Sequence, residues 1–290
     1  MNNAKIFVIT PVRNEERFVE HVLQSVVAQS VLPARWVIVD DGSTDSTAAI
    51  VNSYCRQYPW LELLQLKTSD EIRAGGSKVV KAFNYGYDLI KKEPFDFIVK
   101  LDGDLTLPHN YFERMLAEFS EYPRLGICGG TIFNKYSDTE IREERAESFH
   151  VRGALKMIRR ECWEDINGFK EIWNWDGFDI IEARFLGWET KSIDIPVIHH
   201  RPTSAAYDQV AHAYKSGYES YKMGSDWFLT IIRSIVRLKR KPYLKTAFAF
   251  FSGYKKAYEI KEQKIVSREL ARFSNKMHYS RFNIFRKKTH

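Results

Sequence analysis

Apolar positions along the chain change their rhythm from one run to the next. Residues 5–10 (KIFVIT), 35–40 (RWVIVD), 61–66 (LELLQL) and 95–102 (FDFIVKLD) are short stretches dense in Val, Ile, Leu and Phe, as in strands buried on both faces. Between them the spacing lengthens: Phe18, Val19, Val22, Leu23, Val26 and Val27 fall three and four apart, on one side of a helix. A second helix is expected after DGSTDST, with Asp45 or Ser46 as its N-cap, and a third over SKVVKAFNYGYDLIKK. Strand and helix alternating at this interval predict an α/β fold, a mainly parallel sheet with helices on both faces. Beyond residue 105 the rhythm is less regular. GICGGTIF reads as a strand, RGALKMIRRECWEDINGF as a strand entering a short helix, Asp179 to Gly187 as a helix and KSIDIPVIHH as a late strand. From Ala205 the pattern is helical to near the end.

In sheets of this kind, ligands sit beyond the carboxyl ends of the strands. Thr10-Pro11 follows the first strand, Asp40-Asp41-Gly42-Ser43 the second and Asp102-Gly103-Asp104 the fourth. One aspartate after a strand is commonly a helix cap; three polar strand ends on one rim read as a site. Asp102 and Asp104 can approach a single cation together, because Gly103 carries no side chain to crowd the backbone. Hard oxygen ligands select Mg²⁺ or Mn²⁺, and Mg²⁺ usually combines one or two carboxylates with substrate phosphates. For the DGD triplet by itself, a polar turn is the competing reading.

Composition narrows the class. A chain of 290 residues, 44% hydrophobic, supports one large α/β domain with an appendage. Cys55, Cys128 and Cys162 are scattered, which suggests neither a disulfide framework nor a zinc site. The N-terminus resembles no signal peptide and no run approaches the ~20 apolar residues of a membrane span, so a cytoplasmic location is expected. The net charge of +7 is uneven: Arg233 to His290 holds 17 Lys+Arg against 3 Asp+Glu, leaving the remaining residues net acidic. In DWFLTIIRSIVRLKRKPYLKTAFAFFSGYKK, which leads into this region, Phe228, Ile231, Ile232, Ile235, Val236 and Leu238 alternate with Arg233, Arg237, Lys239, Arg240 and Lys241. Either the stripe lies peripherally on an anionic membrane, at the inner face, or it packs on the preceding domain with its charges solvated. Nucleic acid ranks third, since no recognition fold accompanies the charge.

Six features, ITPVRNEE, VIVDDGSTDST, LDGD, RRECWEDINGF, WDGFDIIEARFLGW and VIHHRP, occur in the order and spacing of glycosyltransferase family 2, which the chain resembles over about residues 4–202. The resemblance implies the GT-A fold, a Rossmann-like sheet flanked by helices. It also implies transfer of a sugar from a nucleotide diphosphate sugar to an acceptor hydroxyl, on a glycan or a lipid-linked molecule. The implied domains are 1–202, with a nucleotide-sugar half of about 1–105 and an acceptor half of about 106–202, followed by a basic helical region over 203–290.

Residue by residue, the resemblance puts Thr10, Pro11 and Glu15 in the nucleotide pocket and Asp41 on the base, where a carboxylate accepts from a base N–H. Asp40 instead serves its own turn. Asp102 and Gly103 fall near the ribose or metal, and Asp104 on the divalent cation. Either His199 or His200 completes the metal's coordination; neighbours on a strand point to opposite faces, so at most one turns to the donor. Arg201 is a phosphate contact. RAGGSKVVKAFNYG stands where the family has a Gly-containing loop entering a helix, with Lys78 facing sugar or phosphate; a plain connection is the alternative. Counting back from Gly187, the general base matches Asp176, with Trp175 replacing the family's Glu; Asp179 competes but is expected to be an N-cap. A base opposite the leaving group implies inversion. Trp163, Trp173 and Trp175 either stack on sugar or fill the core. A nucleotidyltransferase and a non-catalytic nucleotide-sugar binder are the rival functions.

Overall fold

The computed structural model describes residues 4–66, 77–144, 146–201, 208–239 and 242–281. It divides into two compact units, Met1–Pro202 and Thr203–His290. The first unit opens with β1 (Ile6–Val12), α1 (Val19–Val27), β2 (Arg35–Asp40), α2 (Thr47–Cys55), β3 (Leu61–Gln65), α3 (Ser77–Ile90) and β4 (Phe97–Leu101). These four strands are parallel: β1 pairs with β2 and β4, and β3 lies outside β2. The chain therefore builds outward from β1 to β3 and then crosses back to β4. That reversal opens a crevice between the carboxyl ends of β1 and β4.

The second part adds β5 (Leu105–Thr106), α4 (Tyr111–Glu121), β6 (Leu125–Lys135), β7 (Ile141–Glu143), β8 (Leu155–Arg159), α5 (Arg160–Asp165), α6 (Trp175–Phe185) and β9 (Glu189–His199). One sheet runs through all of it in the order β3-β2-β1-β4-β8-β6-β9-β5, with β7 on β6. Strand β8 is antiparallel to both β4 and β6, whereas β6 and β9 are parallel. The sheet is thus mixed, parallel on the β1 side and joined to its second part through antiparallel β8.

Alternation along β1 sends Ile6 and Val8 to one face, against Val22, Leu23 and Val26 of α1 and Phe112 and Met115 of α4. Phe7 and Ile9 go to the other face, against Val80 and Phe83 of α3, Trp163 of α5 and Ile180 of α6. One expectation fails here. Helix α6 begins at Trp175 rather than Asp179, behind Asn174 in the left-handed region at φ 59°. Asn tolerates that conformation better than most residues, so the chain enters the helix without a carboxylate cap.

The second unit contains α7 (Gln209–Lys222), α8 (Trp227–Arg237), α9 (Lys245–Glu259) and α10 (Arg268–Arg281). Asp208 and Asp226 are the N-caps of α7 and α8, accepting from Val210 N–H and Leu229 N–H. Glycines let α7 and α9 touch backbone to backbone: a Cβ on Gly217 would fall 1.8 Å from the Phe250 carbonyl oxygen. Helix α8 leaves its apolar stripe exposed. Arg233 and Arg237 turn inward, their guanidinium carbons 5.1 and 3.9 Å from the centre of the Phe250 ring, while Phe228, Ile231, Ile235 and Leu238 face outward. Those two arginines therefore do not flank the apolar stripe, and Arg240 and Lys241 lie outside the described residues. Among the described residues no helix is long and apolar enough to cross a membrane.

Candidate active site

Two loops are laced together above β1 and β2. Asn14, at φ 53°, donates its N–H to Ser43 Oγ at 2.9 Å and accepts from Thr44 N–H at 2.8 Å. Glu15 N–H donates to Thr47 Oγ1 at 2.7 Å, and Glu16 exchanges hydrogen bonds with Asp45 and Ser46. Asp45 also accepts from Thr47 N–H. Thr10, at the end of β1, is buried and accepts from Trp36 Nε1–H at 2.9 Å; Pro11 beside it is half-buried. Asp40 is buried and accepts from Ser43 N–H at 2.9 Å, so it holds its own turn. Asp41 stands on the rim, 3.6 Å from Arg13.

The crevice between β1 and β4 holds a charged cluster. Gly103 passes so close to β1 that a Cβ there would lie 2.7 Å from Val12 Cγ1, on a stiff β-branched side chain. This approach brings Asp104 under the β1–α1 loop. Pairing of β5 with β9 sets Leu105 opposite His199, which places the His199 imidazole 3.3 Å from Asp104 Oδ1. Arg201 donates to Asp104 Oδ2 at 2.7 Å and also to buried Glu15. Burial alone would raise the Asp104 carboxyl, but the hydrogen bond from His199 and the charges of His199 and Arg201 prevail and hold it at about 2. For His199, burial works downward, but Asp104 overrides it and raises the imidazole above its ordinary value. Asp102 forms an ion pair with Lys100, and burial pushes its carboxyl up.

Alternation sends the two adjacent histidines apart. His200 Nε2 lies 2.8 Å from Thr106 Oγ1, and its ring stacks on His21 of α1 with centroids 4.2 Å apart. Burial and the neighbouring His21 lower its imidazole to about 4. Of the two, His199 is the one directed at the Asp104 carboxylate, and its Nδ1 is buried with no hydrogen-bond partner among the described residues. An orphaned buried nitrogen in a charged crevice signals a ligand or water to complete it. A carboxylate and an imidazole side by side suit a divalent ion whose other positions come from phosphate oxygens. No group of three His, Cys, Asp or Glu side chains converges among the described residues.

A second cluster lies under α6. Lys156 on β8 is wholly buried and donates to both carboxylate oxygens of Asp179, at 2.7 and 2.6 Å, and to the Asp176 carbonyl at 2.6 Å. Its cross-strand partner is Lys100 on β4, also buried. The two ammonium groups lie 5.3 and 5.5 Å from the Trp175 ring, which contributes cation–π attraction. Burial raises the Asp179 carboxyl to about 6, even against the lowering charge of Lys156. Asp179 is therefore half of a buried ion pair in the second turn of α6, not a cap. Asp176, at the helix start, is half-exposed, and its carboxylate takes no hydrogen bond from the described residues.

Neither buried lysine was anticipated from the sequence. Each interrupts an apolar strand, FIVKL and LKMIR, and a lysine at a core phase of a strand was the clue. Trp163 packs among Phe83, Tyr87 and Phe169, which makes it a core residue. Lys78 is the second residue of α3 and is half-buried, whereas the Gly-containing segment 73–76 before the helix lies outside the described residues.

A family model described as glycosyl transferase family 2 matches residues 7–180. The chain belongs to this family. The matched span runs from β1 into α6 and includes Glu15, Asp104 and Asp176, whereas His199 and Arg201 lie beyond it. A 4,4'-diaponeurosporenoate glycosyltransferase of Staphylococcus aureus is 42% identical over 53 residues, 18% of this chain and only 14% of that relative's length. Among solved structures, S. aureus TarS 1-349 in complex with UDP-GlcNAc superposes with a TM-score of 0.55 at 17% identity, covering 89% of this chain and 73% of that one. The Pyrobaculum calidifontis mannosyltransferase PcManGT, in complex with GDP-Man and Mn²⁺, superposes with a TM-score of 0.53 at 16% identity, covering 96% and 80%. These likenesses establish the GT-A fold for this member of family 2.

Proposed function

We propose that this family 2 member transfers a sugar from a nucleoside diphosphate sugar to an acceptor hydroxyl, inverting the anomeric carbon. The observation that carries the reading is the Asp104–His199–Arg201–Glu15 cluster at the reversal point of the sheet. It is where an α/β sheet binds ligands, and its guanidinium and imidazole suit an anionic diphosphate. The nucleotide-sugar complexes among its structural neighbours support the same donor class.

In this scheme residues up to about 105 serve the donor. Thr10, Pro11 and Glu15 line the nucleotide pocket, Asp41 accepts from the base, and Asp102 with Gly103 lies at the ribose. Lys78 reaches the donor from the start of α3. Asp104 and His199 would hold a Mg²⁺ or Mn²⁺ ion, which supplies Lewis-acid stabilisation of the departing diphosphate when bound. Arg201 orients the diphosphate and offsets part of its charge. Residues 106–202 serve the acceptor, a glycan or a lipid-linked molecule. Asp176 removes the acceptor hydroxyl's proton as that oxygen bonds to the anomeric carbon and the bond to the diphosphate oxygen breaks. Its free carboxylate is available for the proton, and Lys156 fixes the backbone that carries it.

Two variants separate these roles. With a panel of nucleotide sugars and either cation, Asp104→Asn is expected to lose cation-dependent donor binding, measured calorimetrically. Asp176→Asn is expected to keep that binding and to lose transfer. Normal turnover by Asp176→Asn would remove the base assignment, and cation-independent donor binding by the wild type would remove the role given to Asp104.

A further inference from the structure

We infer that the outward face of α8, continued into the first turn of α9, docks on an anionic membrane surface. Isolated apolar residues on a protein surface are ordinary; a repeating row of them is not. Phe228, Ile231, Ile235 and Leu238 recur three and four apart along α8, and all are exposed, Ile235 by 58%. Further along the chain Tyr243, Leu244 and Phe248 are exposed as well, the last by 74%. Meanwhile the helix turns its polar side inward, with Thr230 buried and Arg233 and Arg237 laid on Phe250. A helix that spends its arginines on the bundle and leaves its aliphatic side in water is oriented for an apolar medium outside the bundle.

Charge selects the occupant. The exposed Lys239 and Lys245 stand at the end of the row, within a segment holding 17 Lys+Arg against 3 Asp+Glu. Such a surface repels a second copy of itself, and it complements a bilayer rich in acidic headgroups. Aliphatic and aromatic side chains enter the acyl boundary while the lysines stay at headgroup level.

The test uses the full chain and sedimentation with vesicles of phosphatidylcholine, with or without about 30 mol% phosphatidylglycerol. Wild-type protein is expected to pellet with the acidic vesicles and to be released as salt rises from about 0.1 to about 0.5 M. The pair Ile231→Glu with Ile235→Glu is expected to weaken partitioning at least about tenfold, and Lys239→Ala or Lys245→Ala by about fivefold each. Should the glutamates lower the melting temperature, Ile231→Ser with Ile235→Ser replaces them. A wild type that remains in solution overturns the inference, as does a stripe variant that pellets like the wild type. It is equally overturned if the wild type is a dimer that the stripe variant converts to monomer with vesicle binding unchanged. The row would then be an interface between copies.

Discussion

Asp104 and Asp179 are both buried carboxylates paired with cations, yet they are displaced in opposite directions. Asp104 is held at about 2 and Asp179 is raised to about 6. Burial acts upward on both. The difference lies in what surrounds them: Asp104 has two partners, His199 and Arg201, whereas Asp179 has Lys156 and the repulsion of nearby Asp176. The two pairs also differ in closure. Lys156 and Asp179 are sealed from solvent, but the Arg201 side chain is 31% exposed, leaving the Asp104 cluster open to a ligand. Similar residue types thus make a closed strut under α6 and an open cluster in the crevice.

The largest loss is expected at Asp176, the proposed base, whose backbone carbonyl Lys156 holds. Asp176→Asn is expected to reduce kcat about 10²–10⁴-fold with the donor Kd unchanged, read by transfer assay and calorimetry. Breaking the strut comes next. Lys156→Met leaves a buried carboxylate without its cation and is expected to cost roughly 3–5 kcal/mol in denaturant unfolding at neutral pH. Adding Asp179→Leu should recover most of that stability while kcat stays low, because the Asp176 carbonyl still lacks its donor. A double variant with wild-type kcat would show that Lys156 does not position the base.

The smallest effect concerns pH. Folding lowers the His200 imidazole from its ordinary 6.5 to about 4, so the unfolded chain binds more protons between those values. The contribution to stability is fully present above about 6.5 and drains as pH falls toward 4. Melting temperatures of His200→Gln across this range should show a shallower acid decline than wild type. Parallel profiles would mean that stacking on His21 does not keep the imidazole neutral.

Much of the architecture of the first four strands was legible in the chain. Strand β2 runs from Arg35 to Asp40 as its apolar stretch indicates, because a run bounded by polar loops leaves little freedom. The polar strand ends are likewise visible without coordinates. What escaped reading depends on tertiary contact. Lys100 and Lys156 pair across β4 and β8, strands separated by more than fifty residues, so nothing local shows that each is neutralised. The start of α6 depends on a left-handed Asn174, a conformation that leaves little trace in composition. In α8, periodicity reveals two faces but not which one the bundle takes; the ring of Phe250, on another helix, decides it.

Strand β4 lies between β1 and β8, so the central ribbon is completed by a segment translated long after it. A fragment ending near residue 105 would bare one side of β4, five buried residues long, as an unsatisfied hydrogen-bonding edge. Such a piece would tend to recruit strands from its neighbours and precipitate. The part of the chain up to about residue 105 is consequently not a detachable module, and any minimal version of it must retain β8.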